Sequence, residues 1–122
     1  CPNDLTDHSI VFPTTFESSP IWHFIKNDKK EAVKLKPRLH CNQTNSALQT
    51  TIQGFGITRL MSYQVGEELE KGTLQSILTS YEEDPLPVNI IRIEGRRSNA
   101  KIRSFLDLAT KRLKSNPLIN IK

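Results

Sequence analysis

The chain has 122 residues, a formal net charge of +4, and 36% hydrophobic against 25% charged residues. This is a globular composition, which excludes intrinsic disorder and collagen-like repeats, and the length suits one domain. No apolar run approaches the roughly 20 residues needed to cross a bilayer, Asp4 and Asp7 stand where a signal peptide is basic or apolar, and no membrane association is expected.

Ser9 to Phe12 is a short apolar run ended by Pro13, and the polar stretch Thr14 to Pro20 reads as a loop. Ile21, Trp22, Phe24 and Ile25 then form an aromatic and β-branched strand. Val33, Leu35 and Leu39 recur at odd positions in a second one, with Asn27 and Asp28 as the hairpin turn between them. Pro37 interrupts that second strand and implies an edge or a bulge. From Thr44 or Asn45, either of which suits an N-cap, the spacing of Ala47, Leu48, Thr51, Ile52 and Phe55 is helical, and Gly54 and Gly56 close the segment.

Ile57 to Met61 reads as a strand, Ser62 as the cap of a short helix carrying Glu67, Glu68 and Glu70, and Gly72 as its C-terminal stop. Leu74 to Leu78 reads as another strand and Glu82 to Pro87 as a loop. Val88 to Ile93 suits a well-buried strand. Ser98 or Asn99 caps a final helix with an apolar stripe of Ile102, Phe105, Leu106, Ala109 and Leu113, ended by Pro117. Strands alternating with helices give an α/β architecture with a largely parallel or mixed sheet.

The charge is uneven. Between Gly95 and Lys122 eight basic residues stand against Asp107 alone, giving +7 and leaving −3 for residues 1 to 94. No aromatic residue interleaves those basic side chains as base stacking requires, and five of them fit the wet face of the last helix, so they are read as solvated surface rather than a nucleic-acid patch.

Cys1 and Cys41 lack metal spacing and are too few for a disulfide framework, which places the chain in a reducing, cytoplasmic setting. The chain opens on Cys1 and its only methionine is Met61, so a processed product or an excised piece of something longer is expected. An acylated lipoprotein cysteine is the sharper alternative for Cys1.

Catalytic chemistry is thin. His8, His23 and His40 stand apart without metal-ligand spacing, and there is neither a nucleophile elbow nor a phosphate loop. Gly54-Phe55-Gly56 follows a helix instead of opening one and is read as a turn. Asn42-Gln43-Thr44 matches a glycosylation sequon by chance. His40 with Asp28 or Glu31 could be drawn as an acid and base, but the carboxylates lie toward the far end of the hairpin. No enzyme, metal or cofactor is expected. What remains is a polar cluster at turns, Thr14 and Thr15 after the first strand and His40, Asn42, Thr44, Asn45 and Ser46 before a helix, where unpaired N–H groups and short polar side chains hold anions.

The order of these features resembles the effector-binding domain of LysR-type transcriptional regulators over residues 5 to 110. The resemblance rests on Leu5 and His8 before the apolar run Ser9 to Phe12, Trp22 with Phe24, and Val33 to Asn42. It continues through Gly54 to Ile57, then Glu70, Gly72 and Leu74, the strand from Pro87 to Ile93, and Lys101, Arg103, Phe105, Asp107 and Leu108. Met61-Ser62-Tyr63 departs from the family, which places a proline after the glycine-bounded strand.

The resemblance implies one Rossmann-like lobe of a type II periplasmic-binding-protein-like fold plus a C-terminal returning helix. Residues 1–93 would be the distal lobe, with crossover strands near 9–12 and 87–93, and residues 94–122 a helix belonging to the proximal lobe. The winged helix-turn-helix and the first half of the proximal lobe of family members would lie outside the chain. It implies a small-molecule effector, anionic or carboxylate-bearing, held by Pro13, Thr14, Thr15, Asn42, Gln43, Thr44 and Ile91. DNA would be contacted only through the N-terminal domain, and the stripe of the last helix, which in the family packs on the proximal lobe, would drive self-association. A fragment of an extracytoplasmic solute-binding lipoprotein, which shares the lobe architecture, is the alternative.

Overall fold

A computed structural model describes residues 1–92 and 99–119, which fall into two units, Cys1–Asp84 and Pro85–Lys122. In the first unit a 3-10 turn over Pro2–Asp7 leads into strand β1 (Val11–Pro13). Strands β2 (Ile21–Lys26) and β3 (Lys29–Lys34) follow as a hairpin, then β4 (Leu39–Cys41), helix α1 (Thr44–Ile52) and helix α2 (Ser62–Glu70).

β1 pairs with β4 in parallel, Val11 opposite Leu39 and Pro13 opposite Cys41. On its other side β1 meets a single parallel bridge from Ile10 to Ile57. β4, α1 and the Ile57 segment thus form a crossover with β1 in the middle, the arrangement that buries a strand on both faces. Ile10 and Phe12 (each 1% exposed) pack with Leu5, Trp22, Phe24, Val33 and Leu35 on the hairpin side, while Val11 packs with Cys41 and Ala47 under α1. Period-two alternation along one strand therefore supplies two core clusters.

The hairpin turn is tight because Asn27 and Asp28 both take positive φ (50° and 59°), which these two residue types tolerate better than others. Pro37 lies between two sheets: β3 ends at Lys34, β4 begins at Leu39, and the residue lacking an N–H occupies the crossing, where no ladder needs a donor, in place of the expected edge or bulge within one strand.

Both helices of this unit end in a Schellman motif. Gly54 (φ 82°) donates to Thr51 and Phe55 to Thr50, and Gly72 (φ 72°) donates to Leu69 and Thr73 to Glu68. Gly56 is required for another reason: a Cβ there would sit 2.0 Å from the Ser9 carbonyl oxygen, which accepts the Ile57 N–H at 2.9 Å.

Other expectations are revised. Gln43, not Thr44 or Asn45, is the N-cap of α1, and Met61, not Ser62, is that of α2, where the Gln64 side chain accepts the Met61 N–H at 2.9 Å. The expected strand from Ile57 to Met61 contracts to the Ile57 bridge. Leu74 to Leu78 is irregular: Leu78 turns to φ 60° and feeds a 3-10 turn, Thr79–Tyr81, and both Leu78 and Tyr81 pack on the core. Short apolar runs signal burial, and burial is achieved here by a turn as readily as by a strand.

In the second unit residues 85–92 carry no strand pairing among the described residues, and α3 (Ala100–Ser115) is capped by Asn99, whose side chain accepts the Lys101 N–H at 3.1 Å. Ile93, Ser98 and the expected boundary between 93 and 94 lie outside the described residues. No helix is long and apolar enough to cross a membrane among those described.

Candidate functional site

Parallel pairing decides which of the expected residues meet. Because β1 and β4 run in the same direction with Pro13 opposite Cys41, the chain leaves both strands at one end, through Thr14 and Thr15 on one side and Asn42 and Gln43 on the other. The two exits are tied: the Thr14 N–H donates to the Cys41 carbonyl at 2.8 Å and the Thr14 hydroxyl to the same oxygen at 3.2 Å. Thr15, Asn42 and Gln43 are exposed, Thr44 is half-buried and Pro13 is buried.

Helix α1 starts at this edge with no side-chain cap, since Gln43 is extended (φ −130°) and makes no capping bond. Among the described residues no side chain accepts from its first-turn N–H groups, and the positive end of the helix dipole lies beside amides and hydroxyls with no charged residue in the segments 13–15 and 42–46. Such an edge can hold a carboxylate or a polar group by dipoles alone. A helix N-terminus favours a nearby negative charge by about 0.3–1 kcal/mol.

Ile91, the remaining expected contact, belongs to the second unit, in the stretch 85–92 that carries no strand pairing among the described residues, and is 91% exposed. Phe16 was missed by sequence reasoning. It sits on the same turn as Thr14 and Thr15 and is 58% exposed. Its signal was a lone aromatic in a run of Thr, Ser, Glu and Pro, where burial does not explain it.

A hollow of about 150 Å³ lies elsewhere in the first unit, lined by Asp4, Leu5, His8, Ile57, Ile77 and Leu78 together with Cys1. It opens beside the start of β1 rather than its end, so it is separate from the polar edge. Among the described residues no three His, Cys, Asp or Glu side chains could share a metal ion. The Glu83 carboxyl is held below the usual range first by the Lys30 ammonium it hydrogen-bonds and then by Arg59.

The pattern that defines the LysR substrate binding domain matches residues 1–114. The HTH-type transcriptional regulator PtxR of Pseudomonas aeruginosa is 22% identical over 116 residues, covering 95% of this chain and 37% of PtxR, so the chain spans little more than a third of that relative. The regulatory domain of AphB from Vibrio vulnificus, in a structure of the protein treated with cumene hydroperoxide, is similar with a TM-score of 0.65 at 21% identity, over 88% of this chain and 53% of that one.

Proposed function

Since this chain belongs to the LysR substrate binding domain family, we propose that it is the effector-sensing part of a cytoplasmic LysR-type transcriptional regulator. A small anionic or carboxylate-bearing molecule would bind where β1 and β4 end and α1 begins. The effector favours one arrangement of two lobes over another, and linked DNA-binding domains reposition on their operator accordingly. Residues 1–93 form the distal lobe and 94–122 the returning helix of the proximal one. Thr14, Thr15, Asn42, Gln43 and Thr44 supply polar contacts, with Pro13 as an apolar wall.

The observation that carries this reading is the convergence of two parallel strand ends on an uncapped helix start, with short polar side chains and no charge. In α/β folds ligands collect beyond the carboxyl ends of strands. The family is one of regulators and not of enzymes, and the match does not favour a solute-binding lipoprotein.

Thermal-shift screening of small carboxylates against a chain extended to the length of PtxR tests the proposal. A true effector at 100 times its dissociation constant stabilises by roughly 2.7 kcal/mol. Asn42→Ala and Thr15→Ala should abolish the shift. A shift that survives both would move the site elsewhere. The 122-residue chain alone should give no sequence-specific gel shift with operator DNA, because DNA contact is assigned to the helix-turn-helix region of the longer regulator.

A further inference from the structure

The chain leaves the first unit through three consecutive acidic residues, Glu82, Glu83 and Asp84. Glu82 and Asp84 are exposed, whereas the Glu83 side chain is only 28% exposed and is bound at both oxygens. Its Oε1 accepts from Lys30 Nζ at 2.8 Å and its Oε2 from an Arg59 guanidinium nitrogen at 3.1 Å. Lys30 is on β3, and the other terminal nitrogen of Arg59 donates to the His23 carbonyl of β2 at 3.5 Å. One carboxylate thus joins the exit of the unit to both strands of the hairpin. That hairpin begins at Ile21, and four residues separate it from the turn carrying Thr14, Thr15 and Phe16.

The backbone at the exit is weakly held by itself. Among the described residues the last backbone bond there is Glu82 N–H to the Thr79 carbonyl at 3.4 Å, near the limit for a hydrogen bond. Leu78 and Tyr81 pack on the core but stop short of Asp84. The ionic cluster ties residue 83, two before Pro85, to the hairpin and to Arg59.

We infer that Lys30, Glu83 and Arg59 form a clasp through which the β2–β3 hairpin sets the course of the chain as it leaves the first unit, so that a displacement of the turn feeding β2 is passed to the connecting segment. The effector is one source of such a displacement, and that clause alone rests on the function proposed above. The clasp itself does not. Glu83 stays ionised across the neutral range, since Lys30 foremost and then Arg59 hold its carboxyl low. Salt, by contrast, screens the pairs, because at roughly 1 M the Debye length is about 3 Å.

Hydrogen exchange on the 122-residue chain, with no effector present, tests the clasp independently of the proposed function. In Glu83→Gln the amides of Tyr81 and Glu82 should exchange about three- to tenfold faster, with those of Val11 and Ile57 at the start of β1 unchanged. The wild-type chain in roughly 1 M NaCl should behave in the same way. Unchanged exchange at Tyr81 and Glu82 would overturn the inference, as would equal acceleration at Val11 and Ile57, which would mean general destabilisation. Should Glu83→Gln fail to fold, the salt response of the wild-type chain decides alone.

Discussion

The two units carry similar apolar residues and treat them in opposite ways. In Cys1–Asp84 ten hydrophobic residues are buried, while among the described residues of Pro85–Lys122 none is. There Leu86 is 73%, Val88 57%, Phe105 66% and Ile102 45% exposed. The difference comes from layering: β1 is sandwiched between a hairpin and a helix, so each apolar side chain finds an opposing face. An amphipathic helix and an extended apolar stretch each have one such face and need a second layer. Apolar content thus says what must be buried, and the arrangement of layers says whether it is.

Truncating the core gives the largest expected effect. In dilute solution, where the chain is monomeric, Phe12→Ala, at 1% exposure, should lower the urea-unfolding free energy by about 3–5 kcal/mol, and Phe105→Ala by less than about 0.5 kcal/mol. Equal losses would break the contrast. The exposed face of α3 should next be visible in solution: it is expected to pair with a second copy, and Ile102→Ser with Phe105→Ser should weaken that dimer at least about tenfold in sedimentation, since fully burying such a side chain is worth roughly 1.5–3 kcal/mol. A wild-type chain that stays monomeric at high concentration would remove the self-association and leave the face open.

Backbone crowding sharpens the contrast from the other side. Gly56→Ala sets a methyl group 2.0 Å from the Ser9 carbonyl oxygen, which is itself bound to the Ile57 N–H at 2.9 Å. A loss of roughly 1–3 kcal/mol is expected, comparable to overpacking a core. Gly54→Ala meets no atom within 4 Å and differs only through its φ of 82°, so its cost should be about 1 kcal/mol. Similar melting temperatures for the two variants would show that the approach at Gly56 relaxes.

What was legible in the sequence follows the same physics. The hairpin, α1, α2 and α3 were readable because their signals are local: two residues tolerant of positive φ at 27 and 28, a glycine after each of two helices, an asparagine before the third. The polar edge was readable as a list of turn residues, but the pairing that brings Thr14 beside Cys41 is a register 27 residues apart in the chain, and no local pattern encodes it. Leu74 to Leu78 was misread because an apolar run states burial and not the backbone route to it. Phe16 and the Glu83 clasp were missed for a related reason. An exposed aromatic and one of three consecutive acidic residues look ordinary until the fold selects them.

The smallest effect concerns the clasp at the border of the two units, and pH separates it from the rest. The folded Glu83 carboxyl lies below its ordinary value of 4.5, with Lys30 the first cause, while the unfolded chain titrates near that ordinary value. Folding therefore favours the ionised form. The contribution is complete above the unfolded value and is lost as pH falls through the folded one. The exposed Lys30 and half-buried Arg59 limit it to about 1 kcal/mol at neutral pH. Urea titrations of the wild-type chain and Glu83→Gln should differ by up to that amount at neutral pH and converge under acid conditions. Glu67, lowered by its pair with Lys71, changes both chains alike and cancels in the difference. A gap independent of pH would assign the loss to packing around residue 83 and leave the charge with no part in holding the exit of the first unit.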